Sequence, residues 1–526
     1  MLEQSEVMRR RRSALVFGTA IGFAALVGVW SRCSGLDSQS LWADEGLTEW
    51  ISQFSPREIW RILQTDTQPP LYYILLHYWI TLFGNSEVSL RALSAFFSTL
   101  SLPLFYLVAR KILSNRTAVA LATMLYSVSF FQIWYAKEAR CYALLGFLSL
   151  GGVYCVLRCL EQPSASRLLS VALVLSAGLY THNMAWFYLP GLTVFWFLYP
   201  SEMTIRARIR GGVIVAGVTL LLYVPWLPSL GIQARVVHEH FWVPKPSAPD
   251  LLETLCVLSG FDTITFQEVF RNYFHARKLF GFWTWAPALL IVFVLSAIAA
   301  LYGVRAANHR KGAALLAYSA LPVLLVFLDS RLSTPIYINR IFMGACILLP
   351  LVFCAPIAFQ TGTRQGLFRF VALLVLAGTT ISGFGYLRRE RKEDWRGATQ
   401  YLLKLPQRPR LAIIVRDYGQ MVVHYYSTGL FKSYPPIELS GLRTKFNRRF
   451  GVYQAQSARS DDPMAMLAQT IGSGKYQEID FVLQPSEPIV KDTMDYLAVH
   501  CASVEVVEFH WLEVRRCFVQ SSIGKP

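Results

Sequence analysis

Apolar stretches of about twenty residues recur along most of this chain, a length set by the ~30 Å hydrocarbon core of a bilayer. The first is Ser13 to Trp30, "SALVFGTAIGFAALVGVW", directly after the basic cluster "MRRRR". Inside lipid every backbone polar group must be satisfied within the segment, so stretches of this kind fold as helices. Of the 526 residues 54% are hydrophobic and 16% charged, whereas soluble domains run at about 45–50% and 25%. The formal net charge of +17 therefore needs no nucleic acid: Lys and Arg gather in cytoplasmic loops and set topology. Membrane lipids are the expected surroundings. The first stretch is longer than the ~7–15 residues of a signal-peptide core, and "WSRCSG" is a poor cleavage site. It reads as an uncleaved span with the N-terminus inside.

Requiring every second crossing to land on basic residues gives a consistent path. The second span ends on "RKILSNR", the fourth near Arg158 and Arg167, the sixth on "RARIR", the eighth on "RAANHRKG" and the tenth at Arg364 and Arg369. The intervening ends, "WYAKEAR", "YTHN" and "DSRLSTPIYINR", face outward. The expectation is a mainly α, polytopic membrane protein with about 11 transmembrane helices, N-terminus in and C-terminus out. It divides into a membrane module, residues 1–387, and a soluble extracytoplasmic α/β domain, residues 388–526. The membrane module carries two long outer loops, 31–89 and 231–282. The inner (plasma) membrane is the expected location.

The first outer loop contains "PPLYYILLHYWITLF", whose apolar part from Leu71 to Phe83 makes a helix of only ~20 Å. Counting it as a span would also turn "RKILSNR" outward. It is expected to lie in the interface, with Tyr72, Tyr73, His77, Tyr78 and Trp79 at headgroup level. Leu47 to Leu63 reads as a second, amphipathic interfacial helix. In the C-terminal part "RLAIIVRDYG" and "IDFVLQP" suggest strands, "GQMVVHYYSTG" a short helix, and "VEVVEFHWLEVRRCFV" one or two more strands. The nine cysteines show no zinc-type pairs. Cys501 and Cys517 could pair outside the cytoplasm or remain two thiols.

Polar residues without a topological role gather on the predicted outer face. Asp44 and Glu45 follow the first span in "LWADEGLTEW". A carboxylate at the rim of a membrane cavity suits a general base, and it equally suits the first turn of a helix beginning near Gly46. Asp66 precedes "TQPP", where a turn is expected. Glu138 and Arg140 flank the outer mouth of the third and fourth spans, facing a cavity or snorkelling. His182 and Asn183 end the fifth span. Arg340 in "YINRIFMG" has a planar fork suited to phosphate. "HEH" at His238 and His240 resembles a metal pair, but positions i and i+2 share a face only on a strand. Acids beside phosphate-binding bases on one face suit transfer from a phosphate-linked substrate delivered in the membrane.

"LWADEGLTEW", "DTQPPLYYILLHYWITLFGNSEVSLRALSAFFSTLSLPLFYLVARKI", "YAKEARCYALLGF" and "GLYTHNMAWF" together resemble the GT-C class of membrane glycosyltransferases. The nearest likeness is to the bacterial protein mannosyltransferase and aminoarabinose transferase group. It is strong from Leu41 to Tyr188, looser through the last apolar stretch and weak beyond it. The resemblance implies a GT-C fold and a sugar carried on a polyprenyl phosphate or diphosphate. It implies transfer on the extracytoplasmic face to a glycan, lipid or protein acceptor, without a nucleotide sugar. On this reading Asp44 is the acceptor's base, Glu45 completes the acidic pair, and Glu138 is the second acidic position. His182, Arg340 and Arg140 hold the donor phosphate, while Asp66, Gln68, Tyr72, His238 and His240 are loop or acceptor residues. Gln68 departs from the His or Lys usual before the double proline. Some relatives bind a divalent metal near the first-loop acid, which leaves metal dependence open. The implied chemistry is direct displacement with inversion. The competing class, a transporter of lipid-linked sugars, predicts repeated halves, and no internal repeat is visible.

Overall fold

The computed structural model describes residues 2–240, 243–262, 282–302, 306–387, 392–405, 410–414, 419–428, 438–441, 478–483, 495 and 499–519. In chain order its first helices are α1 (Leu2–Cys33), α2 (Ala43–Ser52), α3 (Pro56–Leu63), α4 (Leu71–Phe83), α5 (Glu87–Ile112), α6 (Arg116–Val128) and α7 (Phe130–Ala136). There follow α8 (Tyr142–Glu161), α9 (Ala165–Thr181), α10 (Ala185–Leu198), α11 (Ile205–Tyr223), α12 (Leu227–His240) and α13 (Ala248–Leu258). Long apolar helices then cover Phe282–Leu301, Ala306–Leu332, Leu349–Phe359 and Gly362–Leu387. The chain forms two compact units. One comprises Met1–Ser34, Thr67–Tyr72 and Arg91–Arg389; the other comprises Gly35–Asp66, Tyr73–Leu90 and Glu390–Pro526.

Among its described residues the regular elements of the first unit are all helices. Seven of the described helices are long and apolar enough to cross a membrane, eight when the bent pair α6 and α7 counts as one span. Shorter apolar helices stand at Leu71–Phe83, Ala165–Thr181, Ala185–Leu198 and Pro287–Leu301. Their outer surfaces keep large apolar side chains exposed, among them Leu15, Leu26, Val213 and Leu221, a surface stable in lipid and costly in water. This is a multi-pass membrane protein. Local stops follow sequence: the Asn115 side chain caps α6 by accepting from Thr117 N at 2.9 Å and Ala118 N at 3.1 Å, as an N-cap should.

The break between α6 and α7 bends the path by 45°. A bend frees carbonyls that need new donors, and Arg32, fully buried at the end of α1, supplies them. Its guanidinium donates to Ser127 O at 2.7 Å, Tyr126 O at 3.2 Å and Gly28 O at 3.0 Å, while Nε reaches Ser98 Oγ at 2.9 Å. The redirected α7 delivers its aromatic residues and the following acidic turn to the site described below.

The second unit combines helices with a mixed sheet. The stretch read as one amphipathic helix is two, α2 and α3, because Ser55 and Pro56 start a new helix. Ser55 Oγ meets Glu58 Oε2 at 2.6 Å and Glu58 accepts from Ser55 N at 3.1 Å, with Pro56 in the first turn. α2 begins at Ala43, three residues before the expected Gly46, with Glu45 rather than the cap residue Trp42 supplying the carboxylate. Five strands, β1 (Arg410–Ile414), β2 (Glu438–Gly441), β3 (Glu478–Leu483), β4 (Cys501–Phe509) and β5 (Leu512–Val519), order as β2-β1-β3-β5-β4. β1 runs parallel to β2 and β3, and β5 antiparallel to β3 and β4. Every residue of the central β3 is buried, as its apolar run requires. Helices Trp395–Lys404 and Gly419–Thr428 and most of α4 also belong to this unit. Cys501 and Cys517 form a disulfide, which closes the question the spacing left open. The terminal "SSIGKP" lies outside the described residues.

Candidate active site

In the first unit α7 ends in the turn "KEAR" before α8 begins. Glu138 and Arg140 are buried there. Glu138 Oε1 accepts from Trp134 Nε1, one turn earlier, at 2.6 Å. The Trp134 ring stacks on Tyr386 at 5.1 Å, so α7 fixes the carboxylate through a packed aromatic. Arg140 N donates to Glu138 O at 2.8 Å. Its carbonyl accepts from Ser94 Oγ at 3.1 Å, and that hydroxyl meets Tyr72 Oη at 2.8 Å. Tyr72 thus steadies the backbone of Arg140. The guanidinium lies 6.0 Å from the centroid of the Tyr142 ring, within cation–π range.

His182 caps the C-terminal end of α9 and packs against the same Tyr142 ring at 5.7 Å. Its Nδ1 accepts from Met184 N at 3.1 Å, so the ring proton belongs on Nε2. That Nε2 is buried with no hydrogen-bond partner among the described residues. Arg140 and Arg340 both act electrostatically on the ring, and Glu138 and Arg340 both act on Tyr135. The Glu138–Arg140 turn, His182 and Arg340, far apart in sequence, form one neighbourhood.

Arg340 sits on a 3-10 turn, Asn339–Phe342. Tyr188 Oη donates to Ile341 O and accepts from Gly344 N at 3.3 Å. A Cβ on Gly344 would lie 2.2 Å from the Tyr188 ring; this close approach is why "RIFMG" carries a glycine. Behind His182, Asn183 Nδ2 donates to Thr67 O at 3.0 Å and Gln233 Oε1 at 2.8 Å, and Gln233 Nε2 donates to Gln68 O at 3.3 Å. Gln68 Oε1 accepts from Cys141 Sγ at 3.9 Å. Gln68 is bound into an amide network, with backbone and side chain both engaged.

Asp44, Glu45 and Asp66 belong to the second unit. Asp44 is half-buried, and Thr48 Oγ1 donates to its carbonyl at 2.7 Å. Glu45 is fully buried, and its Oε2 pairs with Lys392 Nζ at 2.9 Å. Glu49, one turn further, accepts from Gln53 Nε2 at 2.5 Å and Asn85 Nδ2 at 3.3 Å. Burial nonetheless holds its carboxyl above the ordinary range. Asp66 is buried in the expected turn after α3, its N–H donating to Leu63 O at 3.3 Å.

His238 is exposed, with Nδ1 at 2.7 Å from Thr334 Oγ1. "HEH" lies on α12, where positions i and i+2 do not face each other; the His240 side chain lies outside the described residues. No three His, Cys, Asp or Glu side chains converge among the described residues, and the acid beside Asp44 is already paired to Lys392. The described residues do not assemble a metal-ligand set, and no step is routed through a metal.

Sequence reasoning missed Ser94, Tyr188, Arg32 and Lys392. Each acts on a residue distant along the chain, and none stands in a local pattern.

The polytopic helical bundle that brings Arg140, His182 and Arg340 together, and the separate mixed-sheet unit, have the fold of known GT-C membrane glycosyltransferases. Residues 67–228 match the family model described as dolichyl-phosphate-mannose-protein mannosyltransferase. The fold is that of ArnT from Cupriavidus metallidurans. Bound to undecaprenyl phosphate, that protein superposes with a TM-score of 0.58 at 13% identity, covering 98% of this chain and 99% of ArnT. In the apo state the values are 0.59 and 14%, covering 98% and 100%. No curated protein matches the sequence.

Proposed function

We propose that this protein transfers a hexosyl or pentosyl group from a polyprenyl-phosphate carrier to an acceptor hydroxyl or amine on the extracytoplasmic face of the inner (plasma) membrane, with inversion. The observation that carries this reading is His182. It is a buried imidazole with an unengaged Nε2–H, set among two arginines in a bundle that shares its fold with a protein crystallised with undecaprenyl phosphate. A buried donor lacking a partner is costly unless a ligand completes it, and a phosphate oxygen beside two guanidiniums does so.

In the proposed reaction the acceptor's oxygen or nitrogen attacks the anomeric carbon while Asp44 takes its proton. The bond from that carbon to the carrier oxygen breaks, and its electron pair leaves on the lipid phosphate. Arg140, His182 and Arg340 stabilise the charge that develops there, the electrostatic contribution that is usually largest. Glu138, tied to Trp134, offsets the positive charge of its neighbours and orients the donor. The disulfide Cys501–Cys517 supports an extracytoplasmic C-terminal segment, because such bonds persist in oxidising compartments; with the odd number of crossings expected from the sequence, the N-terminus is cytoplasmic.

The test is sugar transfer from a radiolabelled panel of polyprenyl-phosphate sugars by purified protein, beside Asp44→Asn and His182→Ala. The expected result is at least a hundredfold loss for Asp44→Asn. His182→Ala should raise the donor KM about tenfold, the size of one lost hydrogen bond. Movement of these lipids across proteoliposomes with no transfer would replace the reading with a transporter.

A further inference from the structure

We propose that Lys392, Arg396 and Tyr426 are positioning residues for Asp44, so that the C-terminal segment works as a clamp on the start of the first outer loop. The inference rests on Asp44 as the base and adds what holds it. All the groups concerned belong to the second unit.

The chain on both sides of Asp44 is held by residues from 392 to 426. Upstream, Leu41 N donates to Tyr426 Oη at 2.7 Å, and Arg396 N donates to Ser40 Oγ at 3.0 Å. Arg396 Nη2 reaches Asp37 O at 2.9 Å and also engages Glu87, with Oε2 at 2.7 Å. Tyr426 Oη donates to Glu87 as well, so Glu87 aligns both anchors. Downstream, Lys392 Nζ pairs with Glu45 Oε2 at 2.9 Å, and both side chains are buried. At the next residue a Cβ on Gly46 would fall 2.4 Å from Val422 Cγ2 and 3.0 Å from Val422 N. Gly46 is what allows helix Gly419–Thr428 to press against the first turn of α2.

Backbone fixed at Leu41 and again at Glu45 and Gly46 leaves Asp44 little room to move. The side chain of Asp44 remains half-exposed while its neighbours are buried. A base must hold its place to well under an ångström, because a 1 Å misplacement can cost about a hundredfold in rate. A buried pair such as Lys392–Glu45 is weak evidence for stability; here it ties the first turn of α2 to the chain at Lys392. Glu45 and Glu87 take the clamp's cations.

The experiment uses the full-length protein with Tyr426→Phe, Lys392→Gln and Lys392→Arg. It reads steady-state transfer together with amide hydrogen exchange over residues 40–47. Tyr426→Phe removes the donor to Glu87 and the acceptor for Leu41 N–H while keeping the ring. The expected result is a ten- to hundredfold fall in kcat with donor KM unchanged for Tyr426→Phe and Lys392→Gln. Exchange should quicken over residues 40–47 alone, and Lys392→Arg should recover most of the rate. Quickened exchange with unchanged kcat would overturn the positioning role, and unchanged exchange would overturn the clamp. A wild-type protein that transfers no sugar would instead sink the transferase reading; exchange in the variants would still decide the clamp.

Discussion

At the residue scale His182 and Glu49 show why burial, not identity, assigns a role. As letters, His182 and His238 are alike. One is buried with an open donor beside two arginines, whereas the other is exposed and bonded to Thr334. Glu49 carries a pH prediction. Burial raises its carboxyl despite two amide donors, so the folded chain binds this proton more tightly than the unfolded chain. The resulting stability is present below the ordinary carboxylate range and is lost as pH rises through the elevated value. Glu49→Gln keeps the acceptor and removes the charge. It should raise the melting temperature in detergent at pH 7 and have little effect below pH 4. Equal shifts at both pH values would show that packing, not ionisation, sets the effect.

At the element scale, helix existence and type follow from pattern, while the breaks follow from partners. Ser55 and Pro56 signal the division of α2 from α3 in plain sequence. The bend between α6 and α7 has no proline, and it is stabilised by Arg32 from another helix. α2 itself depends on one absent methyl group. Gly46→Ala places a Cβ against the side chain and backbone of Val422 and should cost about 1–3 kcal/mol, the usual range for overpacking. Thermal unfolding of Gly46→Ala beside Gly46→Ala/Val422→Ala checks this. The double variant should recover part of the loss, since the contact with the Val422 backbone persists.

At the scale of the whole molecule, a helical membrane unit and a mixed-sheet unit obey different rules. Helices in lipid need internal backbone satisfaction, and the sheet needs strand partners distant in sequence. β3 pairs with β1 in parallel and with β5 in antiparallel, and a disulfide ties β4 to β5 across a sequence separation of 16. Closing a loop of that size should stabilise the sheet by roughly 3 kcal/mol. Cys501→Ser with Cys517→Ser should therefore lower the midpoint for this unit. Maleimide labelling of unreduced, denatured wild type should leave these two thiols unmodified; labelling at both would show that the bond does not form in the cell.

The sequence alone determined the membrane class, the apolar helical character of most of the chain and the strand segments of the C-terminal part, and it supplied the acidic and basic residues proposed here for the site. Bilayer thickness, helical periodicity and the bias of basic loops are local rules written in consecutive residues. Only the tertiary structure decided that Arg140, His182 and Arg340 share one neighbourhood, that Tyr188 against Gly344 sets Arg340, and that Lys392 holds Glu45. Such pairings depend on which helix faces which, and a pattern of apolar residues says that a face is buried without saying against what. The cysteine pair shows the same division: composition allowed a bond, and the register of β4 against β5 brought the two Cα atoms to 5.4 Å, the reach a disulfide requires.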